Sequence, residues 1–289
     1  MKLDQYKDKK ILITGINGFV GSALSLKLQS LGSEIINLQN EKIDVTKWEN
    51  VKNLEKADMV FHLAAKIFVP FSFENPRKTY ETNILGTLNL LEYCRIKKSK
   101  MVFASTYVYG EPDYLPVDEN HPTNASNPYS KSKLLGEKLC KAYSDDFGVK
   151  SVVLRPFNIY GPNQKGNFLI PTIINQAKKG KIILKDSRPK RDYIYVDDAV
   201  EAFLRAGIYE SNFDIFNVAS GDGLSVENVA KIIISQFDNN PIVEYQNEIR
   251  EGEVLDVIGD KKKSRDMLDW FPKTTFVEGI NKMLRTKNG

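Results

Sequence analysis

Short apolar runs of strand length alternate along the chain with longer stretches that are apolar on one helical face. Lys10–Thr14, Ile35–Leu38, Met59–Leu63, Met101–Ala104 and Val152–Leu154 read as strands; Val20–Leu31, Ile84–Ile96 and Leu134–Phe147 read as helices. Such alternation predicts an α/β fold, a doubly wound parallel sheet with helices on both faces. From Gly161 the texture changes to turns rich in Gly, Pro, Asn and Lys between shorter elements, which predicts a smaller C-terminal lobe with no flexible linker. FNVASG, residues 216–221, again reads as a buried strand, so the main unit is expected over 1–160 with a return at about 190–221, and residues 161–289 mostly form the smaller lobe.

Composition narrows the classes. The 289 residues are 42% apolar and 27% charged, enough for a large core. The 41 basic and 37 acidic residues give +4, and the lysine runs Lys97-Lys98, Lys178-Lys179 and Lys261 to Lys263 have no interleaved aromatics, so they read as solvated turns, not a nucleic-acid surface. Cys94 and Cys140 lie in apolar helical patterns without CxxC or metal-ligand spacing, as buried thiols of a reducing compartment do. The apolar run near the N-terminus is cut by Thr14, Gly15 and Asn17, and no segment approaches the ~18 apolar residues of a membrane span. A cytoplasmic protein without membrane partners is expected.

Candidate chemistry begins with ILITGINGFVG, which sets Gly15, Gly18 and Gly21 between a predicted strand and a helix start. Glycine permits the tight turn and close approach to a pyrophosphate, and the helix start offers free N–H groups to an anion. A carboxylate about 20 residues on commonly holds the adenosine ribose. Here Gln39 stands in that place, with Lys42 the nearby cation, so NAD is expected with NADP open. Asp44 suits either the adenine amino group or a cap before Trp48.

In NPYSKSK, Asn127 and Pro128 supply a cap and a first-turn proline, and Leu135, Leu139, Ala142 and Tyr143 mark the expected buried face of the helix. Tyr129 and Lys133 stand at i and i+4, one above the other. An ammonium beside a phenol lowers its pKa from the usual ~10 and makes a tuned acid/base. The strand in MVFASTYVYG brings Ser105 and Thr106 to the carboxyl edge of the sheet, where ligands of open α/β sheets bind.

Together these residues resemble the extended short-chain dehydrogenase/reductase family, the NAD-dependent epimerases and dehydratases of nucleotide sugars. The resemblance runs through TGINGFVG at 14–21, HLAAK at 62–66, NILGT at 83–87, STYVYG at 105–110, YSKSK at 129–133, RPFNIYGP at 155–162, RDYIYVDD at 191–198 and REGEV at 250–254. It implies a Rossmann-type domain with a smaller substrate lobe. By this likeness Phe19 and Val20 face the pyrophosphate, while Gln39, Asp44, Val45, Leu63, Ala64, Ala65, Lys66, Asn83 and Phe157 line the cofactor together with Tyr129 and Lys133. Ser105, Tyr129 and Lys133 carry proton transfer, Thr106 and Tyr107 face the substrate, and Asn158, Asn167, Arg191 and Arg250 hold the nucleotide diphosphate. Taken alone, Arg191 and Arg250 read as surface ion pairs. His62 reads as structural, and His121 sits in a polar loop.

The family's reactions differ in groups beside the shared redox step. Its 4,6-dehydratases carry Asp-Glu after the catalytic hydroxyl, where Thr106-Tyr107 stand here, and its decarboxylases carry a glutamate at Tyr107. Enzymes inverting a carbon next to a ketone use a second acid/base, commonly Cys and His, absent from the matching places. Subtraction leaves a 4-epimerase as the first expectation, a 4-ketosugar reductase or dehydrogenase as the alternative, and a non-catalytic dinucleotide-binding regulator as the remote one. Helices Tyr80–Ile96 and Tyr129–Phe147 resemble the pair that forms a dimer interface in relatives, so a homodimer is expected.

Overall fold

A computed structural model of the chain describes residues 3–36, 44–248 and 254–286. In chain order the first half comprises β1 (Lys10–Thr14), α1 (Phe19–Ser30), β2 (Glu34–Ile36), α2 (Trp48–Lys52), β3 (Met59–His62), α3 (Val69–Glu74), α4 (Pro76–Tyr80), a π-helical turn (Glu81–Leu85), α5 (Gly86–Lys97), β4 (Lys100–Ala104) and α6 (Pro128–Phe147). The second comprises β5 (Ser151–Pro156), β6 (Asn158–Tyr160), α7 (Leu169–Ala177), β7 (Lys181–Leu184), β8 (Lys190–Tyr195), α8 (Val196–Ile208), β9 (Phe213–Val218), β10 (Gly223–Ser225), α9 (Val226–Ile234), β11 (Ile242–Tyr245), β12 (Asp256–Val257), α10 (Lys262–Leu268) and α11 (Phe276–Thr286).

Six parallel strands form the main sheet in the order β2-β1-β3-β4-β5-β9. The strand expected in FNVASG is the end of β9, paired with β5. Thr14 lies beside His62, His62 beside Phe103, Ala104 beside Leu154, and Pro156 beside Val218. This register delivers Gly15, Leu63, Ser105, Phe157 and Ala219 in a row along the carboxyl edge. Strand order reverses between β1 and β3, and at such a switch point an open α/β sheet has its crevice.

A second sheet joins β10, β8 and β12, with β6 also paired to β8, and β7 pairs with β11. One apolar cluster runs from Ile11, Phe61 and Val102 under the main sheet to Ile173, Ile182 and Ile233 among the later elements. The main sheet and the later elements thus share one core.

Helix α6 starts at a reciprocal capping box, in which Asn127 accepts from the Ser130 N–H and Ser130 Oγ accepts from the Asn127 N–H; it ends at Gly148 in the left-handed region. Its buried face is not the one expected. Ser132, Lys133, Gly136, Glu137, Cys140 and Ser144 turn inward, whereas Leu135 is 42% exposed and Ala142 is exposed. The cause is close approach to the sheet: a Cβ on Gly136 would lie 2.6 Å from the Phe103 ring. Small side chains let the helix descend and carry Lys133 and Glu137 beneath it. Leu135 and Phe147 on α6 face outward, as do Leu85 and Ile96 on the neighbouring helical segment. Among the described residues, no helix is long and apolar enough to cross a membrane.

Candidate active site

At the switch point the glycines of the β1–α1 turn pack backbone against backbone. Gly15 has φ +74°, and a Cβ there would stand 2.8 Å from the Ala64 nitrogen. A Cβ on Gly21 would collide with the Gly15 carbonyl oxygen, and the Gly18 N–H closes the turn onto that same oxygen at 2.8 Å. Helix α1 begins with no side-chain cap, which leaves its first N–H groups, at Phe19 and Val20, for an outside acceptor.

His62 braces this turn. Thr87 Oγ1 donates to the Asn83 carbonyl (2.6 Å), so it accepts from His62 Nε2 (3.0 Å); His62 Nδ1 then accepts from Thr14 Oγ1 (2.7 Å), which accepts from the Ala64 N–H (3.2 Å). Burial, aided by the Lys133 ammonium, pushes the His62 pKa down to about 3, so the imidazole stays neutral. Asn83, in the π-helical turn, accepts from the Lys66 N–H (2.7 Å) and donates to the Lys66 carbonyl (3.1 Å) and Ser132 Oγ (2.8 Å). It ties the β3 loop to α6. Lys66 itself is exposed, its ammonium 5.9 Å from the Phe71 ring centroid.

Between β4 and α6 the crevice is lined by side chains. Tyr129 and Lys133 share the inward stripe, with Glu137 one turn further along. Burial pushes the Tyr129 phenol up to about 12, and the neighbouring Thr106 hydroxyl draws it partly back. Lys133 is 2% exposed, and burial pushes its ammonium down to about 8. The ammonium lies 4.6 Å from the Phe103 ring centroid, and no acceptor among the described residues bonds it. Ser105 donates to Glu137 Oε1 at 2.5 Å. Glu137 also takes two bonds from Arg155 (3.0 and 2.7 Å), and Arg155 reaches the Tyr109 hydroxyl (3.1 Å), which donates to Asn217 Oδ1 at 2.5 Å.

On the far side Tyr107 stacks on Phe157, with centroids 5.3 Å apart and planes at 22°, and its hydroxyl lies 3.4 Å from Asn158 Oδ1. Asn158 donates to the Asp192 carbonyl at 3.0 Å. Arg191 bonds the carbonyls of Lys190 (2.8 Å) and Leu255 (3.1 Å). Asp192 accepts from the Ser220 hydroxyl and from the N–H groups of Ser220, Gly221 and Gly259, and burial pushes its carboxyl up to about 6.

The family model described as NAD dependent epimerase/dehydratase matches residues 11–219, from the first strand to the end of the last strand of the main sheet. The chain belongs to the NAD dependent epimerase/dehydratase family. A Methanocaldococcus jannaschii protein provisionally named UDP-glucose 4-epimerase is 36% identical over 95% of this chain and 97% of its own length. The GDP-6-deoxy-D-mannose reductase of Pseudomonas aeruginosa is 30% identical over 96% of each. Among solved structures, the UDP-glucose 4-epimerase of Thermotoga maritima with UDP-glucose superposes with a TM-score of 0.88 at 30% identity, covering 97% of this chain and 100% of its own.

The residues present fit the family's dinucleotide. Uncapped N–H groups and a glycine-rich turn suit a pyrophosphate, and the unbonded donors of Lys133 suit a ribose diol. Several expectations change in detail. The expected lowering of the Tyr129 pKa does not occur in the protein alone, where burial raises the phenol. The Ser105 hydroxyl points to Glu137 instead of the Tyr129 side. Asn83 spends its amide on Lys66 and Ser132, and the Phe157 ring is buried under Tyr107 and against Gly259, so neither presents a free side chain to a cofactor.

Asp44 neither caps α2, whose N-cap is Lys47, nor stands alone; its Oδ1 accepts from the N–H (3.0 Å) and hydroxyl (2.6 Å) of Thr46, which hold its pKa low. Val45 packs its side chain against Gly86. Leu63, Ala64 and Ala65 are half-buried along the crevice, and Asn167 is exposed in the loop before α7. Gln39 and Arg250, with Lys42, lie outside the described residues. His121 latches its own loop, accepting from the Asp113 N–H at 2.9 Å. Sequence reasoning missed Glu137 and Arg155. Their signal was present: a carboxylate four residues past Lys133 on the same stripe, and a lone charge inside the apolar strand SVVLRP.

Proposed function

We propose that this chain is a nucleotide-sugar 4-epimerase that removes a hydride from a sugar carbon and returns it to the opposite face, with UDP-glucose and its 4-epimer as the first substrates to try. The observation that carries this reading is the Tyr129 phenol, set at i and i+4 with Lys133 at the edge of the sheet. Three neighbouring ionisable groups are committed: Glu137 to Arg155, His62 held neutral, and the Cys140 thiol pushed far up by burial. Chemistry needing only hydride and one proton remains.

When bound, a nicotinamide would supply the hydride acceptor and donor, and its positive charge would favour the Tyr129 phenolate. Tyr129 takes the proton of the reacting hydroxyl as the hydride leaves, and gives it back when the ketone is reduced on its other face. Protons and electrons balance over the cycle. Lys133 holds the cofactor ribose, and Gly15, Gly18, Phe19, Val20 and Gly21 hold the pyrophosphate. Residues 1–160, with the return at about 190–221, carry the cofactor; the lobe formed mostly by 161–289 carries the nucleotide diphosphate, with Asn158, Asn167 and Arg191 facing it. Guanidinium forks suit phosphate oxygens.

A 4-ketosugar reductase is the second reading, favoured by the Pseudomonas aeruginosa relative. Incubating the protein with NAD(H) or NADP(H) and a panel of UDP-, GDP-, dTDP- and CDP-sugars separates the two. Isomer formed with catalytic cofactor supports the epimerase; cofactor consumed in step with product supports the reductase. A homodimer joined through the outward apolar faces of α5 and α6 also fits, given exposed Ile96, Leu135 and Phe147. Leu135→Glu should convert it to monomer in gel filtration, and a wild-type monomer at micromolar concentration would remove that part. The free, buried Cys94 and Cys140 suit the cytoplasm.

A further inference from the structure

We infer that Asp192 is a positioning residue for the nucleotide diphosphate: its buried carboxyl ties the loops after β9 and β12 to β8 and so sets where Arg191 and Asn158 stand. This inference rests on the reading of those two residues as diphosphate-binding.

Asp192 is 0% exposed, and each of its oxygens accepts twice. Oδ1 takes the Ser220 N–H and hydroxyl, both at 2.7 Å, and Oδ2 takes the N–H groups of Gly221 (2.9 Å) and Gly259 (3.3 Å). Three of these donors are backbone groups, so the carboxyl fixes main chain. Ser220 and Gly221 follow β9, an edge strand of the main sheet, whereas Gly259 follows β12 of the second sheet. The fit is close at both places. Gly221 has φ +81°, and a Cβ on Gly259 would stand 2.5 Å from both the Ala219 Cβ and the Phe157 ring. Through Gly259 the knot therefore abuts Phe157, on which Tyr107 stacks.

Successive side chains of a strand point to opposite faces, so on β8 Asp192 turns inward and the half-buried Arg191 lies on the other face. Arg191 bonds the carbonyls of Lys190 (2.8 Å) and Leu255 (3.1 Å), where β8 meets the approach to β12, and Asn158 donates to the Asp192 carbonyl itself at 3.0 Å. Moving this stretch of main chain moves both. Stability alone does not account for a carboxyl here: the four donors favour its charged form, yet burial outweighs them and pushes it up to about 6. An apolar side chain would avoid that cost. What it could not supply is direction, since only paired acceptors hold four donors from two loops in one arrangement.

The test measures two affinities by calorimetry: that of NAD for the free protein, and that of the tightest-binding of UDP, GDP, dTDP and CDP for the NAD-loaded protein. Asp192→Asn sets an amide NH2 against N–H donors; it should weaken the nucleoside diphosphate about tenfold or more and change NAD less than about threefold. Because Asp192 acts through Arg191, the factors for Asp192→Asn and Arg191→Ala should fall well short of multiplying in the double variant. Diphosphate affinity equal to wild type in Asp192→Asn, an equal loss of both affinities, or factors that multiply in full would overturn the inference. If Asp192→Asn does not fold, Ser220→Ala, which removes one donor of the four, decides: it should weaken the diphosphate about threefold, and Ser220→Thr should restore it. No change in Ser220→Ala overturns the inference too. Wild-type protein that binds NAD but none of the four nucleotides contradicts the reading of Arg191 and Asn158 instead, and the inference goes with it.

Discussion

At the β1–α1 turn the crevice is shaped by missing side chains: Gly15, Gly18 and Gly21 bring backbone against backbone and leave helix N–H groups facing outward. At the β4–α6 edge it is shaped by side chains that are buried and bonded, with Ser105, Glu137, Arg155, Tyr109 and Asn217 forming one connected set behind Tyr129 and Lys133. The first region binds through geometry that any added atom spoils. The second sets chemistry through charges that cannot be left without partners. Damage to the turn should therefore appear in cofactor affinity, and damage to the edge in turnover or folding.

The largest effect should come from the edge. Tyr129→Phe is expected to lower kcat by about 10³-fold, the scale of a lost general acid/base, with the NAD Kd changed less than about threefold by calorimetry. Next, Arg155→Met strands the buried Glu137 carboxylate and should cost about 3–5 kcal/mol in urea unfolding, most of it regained in Glu137→Leu/Arg155→Met. Smaller again, Gly21→Ala should weaken NAD about 10- to 100-fold through overpacking against Gly15. Its control is Gly148→Ala, at φ +68° with open space around the added Cβ, which should cost about 1 kcal/mol of stability and leave NAD binding unchanged.

The smallest effect is a pH slope. Burial lowers the Lys133 pKa from 10.5 to about 8, so in the cofactor-free protein the cost of its charge is paid in full below about pH 8 and fades as pH rises toward 10.5. Over that window the unfolded chain holds more protons, and stability rises with pH. Lys100 contributes a similar slope of its own, common to both proteins. Lys133→Met should be more stable than wild type at pH 7, and the gap should narrow by pH 10.

The turn was legible in the sequence because its three glycines lie within seven residues and answer to local backbone limits. Tyr129 and Lys133 were legible because helical spacing alone puts them together. The orientation of Ser105 was not, since Glu137 and Arg155 reach it from another helix and another strand. The face of α6 misled because apolar residues were assumed to turn inward. Ser132, Gly136 and Cys140 are small enough to bring the helix onto the sheet, and that packing, absent from any single-helix pattern, leaves Leu135 outside.

The most direct test of the central proposal uses UDP-glucose carrying deuterium at the reacting carbon, incubated with the protein and a catalytic amount of NAD. The account predicts the 4-epimer with the deuterium kept at that carbon and no net reduced cofactor. Product without the deuterium, or reduced cofactor accumulating in step with a ketosugar, would contradict it.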